Sequence, residues 1–165
     1  MILKFVIKIM ETIVICASHE NFVPERKTPE AMCWDIKAAE SLSIAPGEVK
    51  LVKSGLKTFI PTGRCCKIYA RSSLPIKQGL QLANSVGLVD SDYRGEYLMQ
   101  LYNFTNQPVE IEQGARLCQI EFCPHYRGTQ QFGTSEIPAL QIKIDPELFT
   151  NFEETYPSVR GAGGF

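Results

Sequence analysis

The chain has 165 residues, with 17 basic side chains against 18 acidic ones, and it is 44% hydrophobic and 21% charged. That is the length of one ordinary domain, apolar enough to build a core and so not a disordered chain. The balanced charge gives no reason to expect a nucleic-acid coat or a membrane-surface protein.

At the N-terminus, Lys4 and Lys8 interrupt the apolar stretch Met1–Met10, and no run approaches the ~18 residues of a membrane span. The stretch also lacks the layout of a secretory signal. A soluble chain, cytoplasmic or otherwise intracellular, is expected. Six cysteines (16, 33, 65, 66, 118 and 123) form no CxxC pair. Cys118, Cys123 and His125 lie close together, but a fourth ligand at finger-like spacing is missing, so small buried hydrophobes in a reducing compartment are expected instead of a zinc site. Asn103-Phe104-Thr105 fits a glycosylation sequon that matters only in a secreted chain.

From residue 46 onward, turn signals recur at short intervals: Pro46-Gly47, Ser54-Gly55, Pro61-Thr62-Gly63, Gly79, Gly87, Gly95, Asn106-Gln107-Pro108 and Gln113-Gly114. Val49–Leu51, Val109–Glu112 and Cys118–Phe122 alternate with period two, as half-buried strands do. Tyr97–Phe104 is denser in apolar residues and predicts a strand buried on both faces. Only Leu74–Leu82 has room for a helical turn or two, with Pro75 in the first turn. Short strands with a turn about every eight residues predict an all-β sandwich or barrel. Beyond Pro124, His125–Glu136 is polar, Ala139–Ile144 alternates once more, and Pro146–Val159 is acidic and proline-flanked. Arg160–Phe165 contains three glycines and cannot hold a fixed conformation alone.

Four places bear chemistry. Gly87–Glu96 reads as a hairpin whose tip carries Asp90, Asp92, Tyr93 and Arg94. Asp-Ser-Asp suits a plain turn, since short polar side chains bond nearby amides, and equally suits a carboxylate that orients and deprotonates a water. Arg71-Ser72-Ser73 follows a strand, and its guanidinium, hydroxyls and the amides of the next turn make an anion seat or a surface turn. Asp35 and Gln119 carry no signal alone.

Taken in order, Trp34-Asp35-Ile36-x-Ala38-Ala39, Arg71–Leu74, Gly87–Glu96, Gly114–Ile120 and Arg160-Gly161-x-Gly163-Gly164-Phe165 resemble the five motifs of the trimeric dUTP diphosphatases (dUTPases). The resemblance runs from about Asp35 to Phe165, with 125–159 matching no motif. It implies a jelly-roll-like distorted β-barrel, homotrimeric, with active sites at subunit interfaces. It also implies hydrolysis of dUTP to dUMP and pyrophosphate, with Mg²⁺ carried on the triphosphate and dUMP supplied for dTMP synthesis. Carried over by position, Asp90 holds the 3′-OH and the attacking water, and Tyr93 lies under the deoxyribose and rejects a 2′-OH. Asn84 and the backbone of Gly87, Leu88 and Val89 bond the uracil edge. Arg71, Ser72, Ser73 and Gln119 come from neighbouring subunits to hold phosphates, Arg160 clamps the γ-phosphate, and Phe165 covers the base. No direct protein ligand to the metal is implied, Asp35 reaching it at most through water. Residues 1–159 then form one barrel domain with 125–159 as a longer linker or arm, and 160–165 form a flexible tail that closes over the site.

The chain departs from the family pattern at Cys33 and Ser73, where glycine is usual, in the longer stretch from Gln119 to Arg160, and at Phe165, short of the family's hydroxyl-bearing tail. Phosphate closure is therefore expected to rest on Arg160 and nearby backbone. Two alternatives keep the fold and change the chemistry. A nucleotide-binding regulator would have no need of Asp90, although the short tail suits it. A dCTP deaminase needs a titrating acid where this chain has Gln100.

Overall fold

A computed structural model describes residues 12–125 and 139–163. The Met1–Met10 stretch, most of the polar segment His125–Glu136, and Phe165 lie outside the described residues.

Among the described residues, twelve short strands are arranged as four small sheets around one core. The strands are β1 (Thr12–Ala17), β2 (Trp34–Lys37), β3 (Leu42–Ile44), β4 (Val49–Lys53), β5 (Leu56–Phe59), β6 (Arg64–Ala70), β7 (Leu80–Leu82), β8 (Gly87–Val89), β9 (Leu98–Asn103), β10 (Val109–Ile111), β11 (Arg116–Pro124) and β12 (Ala139–Ile144). They pair as β12-β1-β5, β10-β3, β2-β11-β6-β8 and β4-β9-β7. The inward residues, among them Ile15, Ile36, Ile44, Leu56, Ile68, Leu80, Met99, Leu101, Leu117 and Ile120, merge into a single buried cluster. This is the all-β architecture that turn spacing and alternation predict, and the distorted jelly-roll-like barrel that the resemblance implies.

The alternating segments 49–51, 109–112 and 118–122 are strands, and 139–144 adds an edge strand running parallel to β1. The one or two helical turns expected near Leu74–Leu82 are present as α1 (Ser73–Gln78); two other expectations need correction. Gly79 adopts φ +63°, and a Cβ there would lie 2.0 Å from Thr105 Cγ2, so the chain turns at this glycine and continues as strand β7. Strand β9 is buried on one face only: Met99, Leu101 and Asn103 point inward, while Leu98, Gln100 and Tyr102 stay half-buried. Its outer face borders a pocket where the sequence suggested a second core. Finally, 87–96 is not the tip of a hairpin. Strand β8 pairs with β6 and β9 pairs with β4 and β7, so Asp90–Tyr97 crosses from one sheet to another.

The sequon asparagine, Asn103, is fully buried. Its amide donates to the Ile44 and Gln107 carbonyls and accepts from Thr105 N and Oγ1, so it ties a turn together inside the fold. Downstream of β12, α2 (Pro146–Thr150), N-capped by Asp145, and α3 (Phe152–Thr155) bring the chain back across the barrel. Phe152 is fully buried, and Tyr156 packs on Phe152 and Phe59 with ring centroids 4.8 and 5.1 Å away. Residues 145–156 are thus packed against the barrel.

Candidate active site

The crossover loop that follows β8 is held from both ends. Tyr93 N donates to Asp90 O (3.2 Å), and the buried Tyr93 side chain donates from its hydroxyl to Glu96 O (3.0 Å). The ring lies so close to the backbone that a Cβ on Gly95 would meet Tyr93 Oη at 2.3 Å, so only glycine fits there. Burial pushes the Tyr93 phenol up, which keeps it a neutral packing surface. Glu96 caps the loop from behind by accepting from Gly55 N (2.7 Å), and burial raises its carboxyl above the usual range. The loop is consequently a fixed mount for Asp90.

Beside it opens a pocket of about 190 Å³ whose lining includes Asn84, Gly87, Val89, Tyr93, Gln100 and Arg160, together with Leu88. A lining that mixes apolar side chains with hydrogen-bonding groups suits a planar, hydrogen-bonding ligand. Asn84 sits in a tight turn in which Val86 N donates to the Asn84 carbonyl (2.6 Å) and Ser85 takes φ +63°. Gly87 lies flat on Ile68, where a Cβ would come within 3.0 Å of the Ile68 Cβ.

The C-terminal segment reaches the same place. Gly161 O accepts from Arg94 N (2.7 Å), Ser158 Oγ donates to Asp92 O (2.6 Å), and Tyr93 and Gly161 form a parallel bridge. Arg160 then crosses the Tyr93 ring at 5.4 Å and donates from Nη1 to Asp90 Oδ2 (2.5 Å). Both partners of this pair are well exposed, so it contributes at most about 1 kcal/mol and is readily exchanged for another anion. The pair places a carboxylate and a guanidinium together at the pocket mouth.

The anchor of this segment is Arg94, which the sequence reading left without a role. It is buried, with no carboxylate bonded to it, and donates to the carbonyls of Ser91 (2.7 Å), Tyr93 (3.0 Å) and Tyr156 (2.7 Å) while stacking 5.2 Å over Phe59. Burial lowers its pKa from the ordinary guanidinium value. A cation inside a turn motif is the one signal that pointed to it.

A second cluster sits on the β2-β11-β6 part of the sheet. Asp35, nearly buried, accepts from Arg71 Nε (3.1 Å) and Arg116 Nη1 (3.2 Å), and Arg71 Nη1 also donates to Arg116 O (3.1 Å). Asp35 thus orients two guanidiniums. Gln119 stands opposite Asp35 and donates to Ala70 O (3.4 Å). Ser72 is exposed at the start of α1, and its side chain makes no cap bond there, so its hydroxyl is not spent on the helix; Ser73 is half-buried as the first helical residue.

Within one protomer these two clusters do not meet. Register places Val89 beside Cys66, and hence Asp90 next to Cys65 at the start of β6, whereas Arg71 follows the end of the same strand. At the usual strand rise, those two positions are about 20 Å apart. Of the residues expected to bind substrate, Asn84, Gly87, Leu88, Val89, Tyr93 and Arg160 gather with Asp90, while Arg71, Ser72, Ser73 and Gln119 do not.

A family model described as dUTPase matches residues 20–141. A deoxyuridine 5′-triphosphate nucleotidohydrolase of Lactococcus lactis is 45% identical over 62% of this chain and 72% of its own length. One from Escherichia phage T5 is 36% identical over 93% of this chain and 95% of its own. Among solved structures, the dUTPase from Streptococcus mutans superposes with a TM-score of 0.65 at 38% identity, covering 67% of this chain and 91% of that one.

Proposed function

This chain belongs to the dUTPase family, and from that premise we propose that it hydrolyses Mg²⁺-bound dUTP to dUMP and pyrophosphate in sites shared between three copies. The observation that carries the proposal is Asp90 bonded to Arg160 beside a small pocket that Asn84, Tyr93 and Arg160 line together with apolar side chains.

The uracil enters between Asn84 and the Gly87–Val89 backbone, which bonds its edge. A base with the wrong donor or acceptor leaves a buried polar group unpaired at about 1–3 kcal/mol. Tyr93 offers the sugar a flat, neutral face with no space for a 2′-OH. Asp90 takes the 3′-OH and orients a water towards the α-phosphorus, acting as its base. The metal arrives with the triphosphate as part of the substrate and offsets its charge.

The Arg160–Asp90 pair is an exposed contact that a stronger anion can displace. A polyphosphate offers Arg160 a bidentate, more highly charged partner than a half-exposed carboxylate. On binding, Arg160 moves to the terminal phosphate and leaves Asp90 free for the water. The remaining phosphate contacts come from Arg71, Ser72, Ser73 and Gln119 of neighbouring copies, because the residues of the same chain lie too far along β6. A trimer follows as the smallest closed ring of such head-to-tail contacts that completes every site in this family. Phe165 covers the base.

Pyrophosphate release with Mg²⁺ from dUTP, dCTP, dTTP and UTP tests the reading, on wild type and on Asp90→Asn. Turnover confined to dUTP and lost in the variant is the expected result. Tight dUTP binding without turnover in the wild type would establish a nucleotide sensor instead.

A further inference from the structure

Cys65 and Cys123 have no part in the proposed hydrolysis. They face each other across β6 and β11, with Sγ atoms 3.4 Å apart. Both are half-buried, unlike Cys16, Cys66 and Cys118, which are fully enclosed. Their backbone position is defined. His125 N donates to Gly63 O (2.8 Å), and Pro124, which has no N–H, stands opposite Arg64. The ladder alternates, so Cys65 and Cys123 form a hydrogen-bonded antiparallel pair, with a typical Cα separation of ~5.5 Å. That is inside the 4.4–6.8 Å range of disulfides, so closing the gap between the sulfurs needs side-chain rotation and no displacement of the strands.

We propose that Cys65 and Cys123 form a reversible thiol–disulfide pair that reacts with small-molecule disulfides and, when closed, staples β6 to β11 beside the Asp90 loop. The Cys123 thiolate, its proton given to solvent, attacks one sulfur of a small disulfide RSSR. One RS⁻ leaves and is protonated to RSH. Cys65 then loses its proton and attacks the Cys123 sulfur of the mixed disulfide, displacing a second RSH. Two protein thiols are oxidised by two electrons, and RSSR is reduced to two RSH. The order follows from the surroundings. Burial first, then the neighbouring Cys123 thiol, pushes the Cys65 thiol up to about 11, and the Asp90 charge adds to this. That setting suits Cys65 to the second, resolving step. The register that pairs Cys66 with Val89 sets the pair beside the start of the active loop. The pair does not depend on the reading of the site as a hydrolase.

The test treats the full chain with oxidised glutathione under non-denaturing conditions, followed by mass spectrometry without reductant. The expected product is lighter by about 2 Da, has lost two of its six thiols, and carries a link between the peptides holding Cys65 and Cys123. Dithiothreitol restores both thiols. Decay of the mixed disulfide speeds up as pH rises, as attack by a thiolate requires. Cys65→Ser stops at a stable glutathione adduct on Cys123, Cys123→Ser shows no adduct at this pair, and Cys33→Ser still closes. A wild-type chain that keeps all its thiols, stops at the mixed disulfide, or links a different pair overturns the proposal, and this readout needs no variant to fold.

Discussion

Replacing Arg94 by methionine keeps the aliphatic stem and removes the guanidinium that ties the C-terminal segment to the Asp90 loop. Three hydrogen bonds disappear, to the carbonyls of Ser91, Tyr93 and Tyr156, together with the contact over Phe59. At about 1.5–3 kcal/mol for each bond to a charged group, the gross loss is large. Much of it is recovered, because a buried cation no longer has to be desolvated and the Tyr156 carbonyl, near the surface, can bond water. A net destabilisation of about 2–4 kcal/mol remains. For a chain of this size that lowers the thermal midpoint by about 5–15 °C at fixed protein concentration, read by circular dichroism. The segment should also detach. Limited proteolysis should cleave after Arg160 faster in Arg94→Met than in the wild type, since its docking bonds to Asp92 and Arg94 lose their mount. A variant within 1 °C of wild type with unchanged cleavage would refute the assignment of Arg94 as the anchor.

Deleting residues 160–165 should cut dUTP turnover at least tenfold while lowering the thermal midpoint by only about 2–5 °C, because the loss is one backbone bond, from Arg94 N to Gly161 O, the exposed Arg160–Asp90 pair and the Arg160 contact over Tyr93; equal activity would show the tail to be dispensable. Tyr93→Ala should narrow the preference for dUTP over UTP in kcat/KM, and undiminished rejection of UTP would remove Tyr93 from the sugar site. Glu25 accepts from Lys27 (2.7 Å) and Lys37 (2.5 Å), which hold its carboxyl down to about 2, well below the ordinary 4.5. A depressed carboxylate stabilises the fold above its unfolded pKa and loses that contribution as pH falls. The stability difference between wild type and Glu25→Gln should therefore be full at pH 6, shrink below 4.5 and be gone near 2, and salt should weaken it throughout. A difference independent of pH counts against the pairing.

Local patterns in the sequence were enough for the barrel strands whose alternation is regular. Cys118–Phe122 alternates because one face of β11 meets the core, and that arrangement is visible within five residues. Partners across sheets have no such local trace. Whether β8 and β9 pair with each other or with β6 and β4 depends on distant strands, so the loop between them resembled a hairpin. The extent of α1 was decided by Gly79 and its close approach to Thr105, a contact 26 positions away along the chain. For the site, the motif order was informative because it carries chemistry in fixed sequence. Asn84, Tyr93 and Arg160 do line one pocket, and Asp90 bonds Arg160 beside it. Arg94 was overlooked because its partners are main-chain carbonyls, which no side-chain pattern reveals.

The account depends on a carboxylate in one copy acting on a phosphate held by another. Mixing Asp90→Asn and Ser72→Ala chains, each inactive alone, after joint unfolding and refolding measures this directly. In random 1:1 assemblies about a quarter of interfaces unite an intact Asp90 with an intact Ser72 from its neighbour, so dUTP turnover should return to about a quarter of the wild-type rate per site. If the mixture is as inactive as its two components, each site is built within a single chain and the account is wrong.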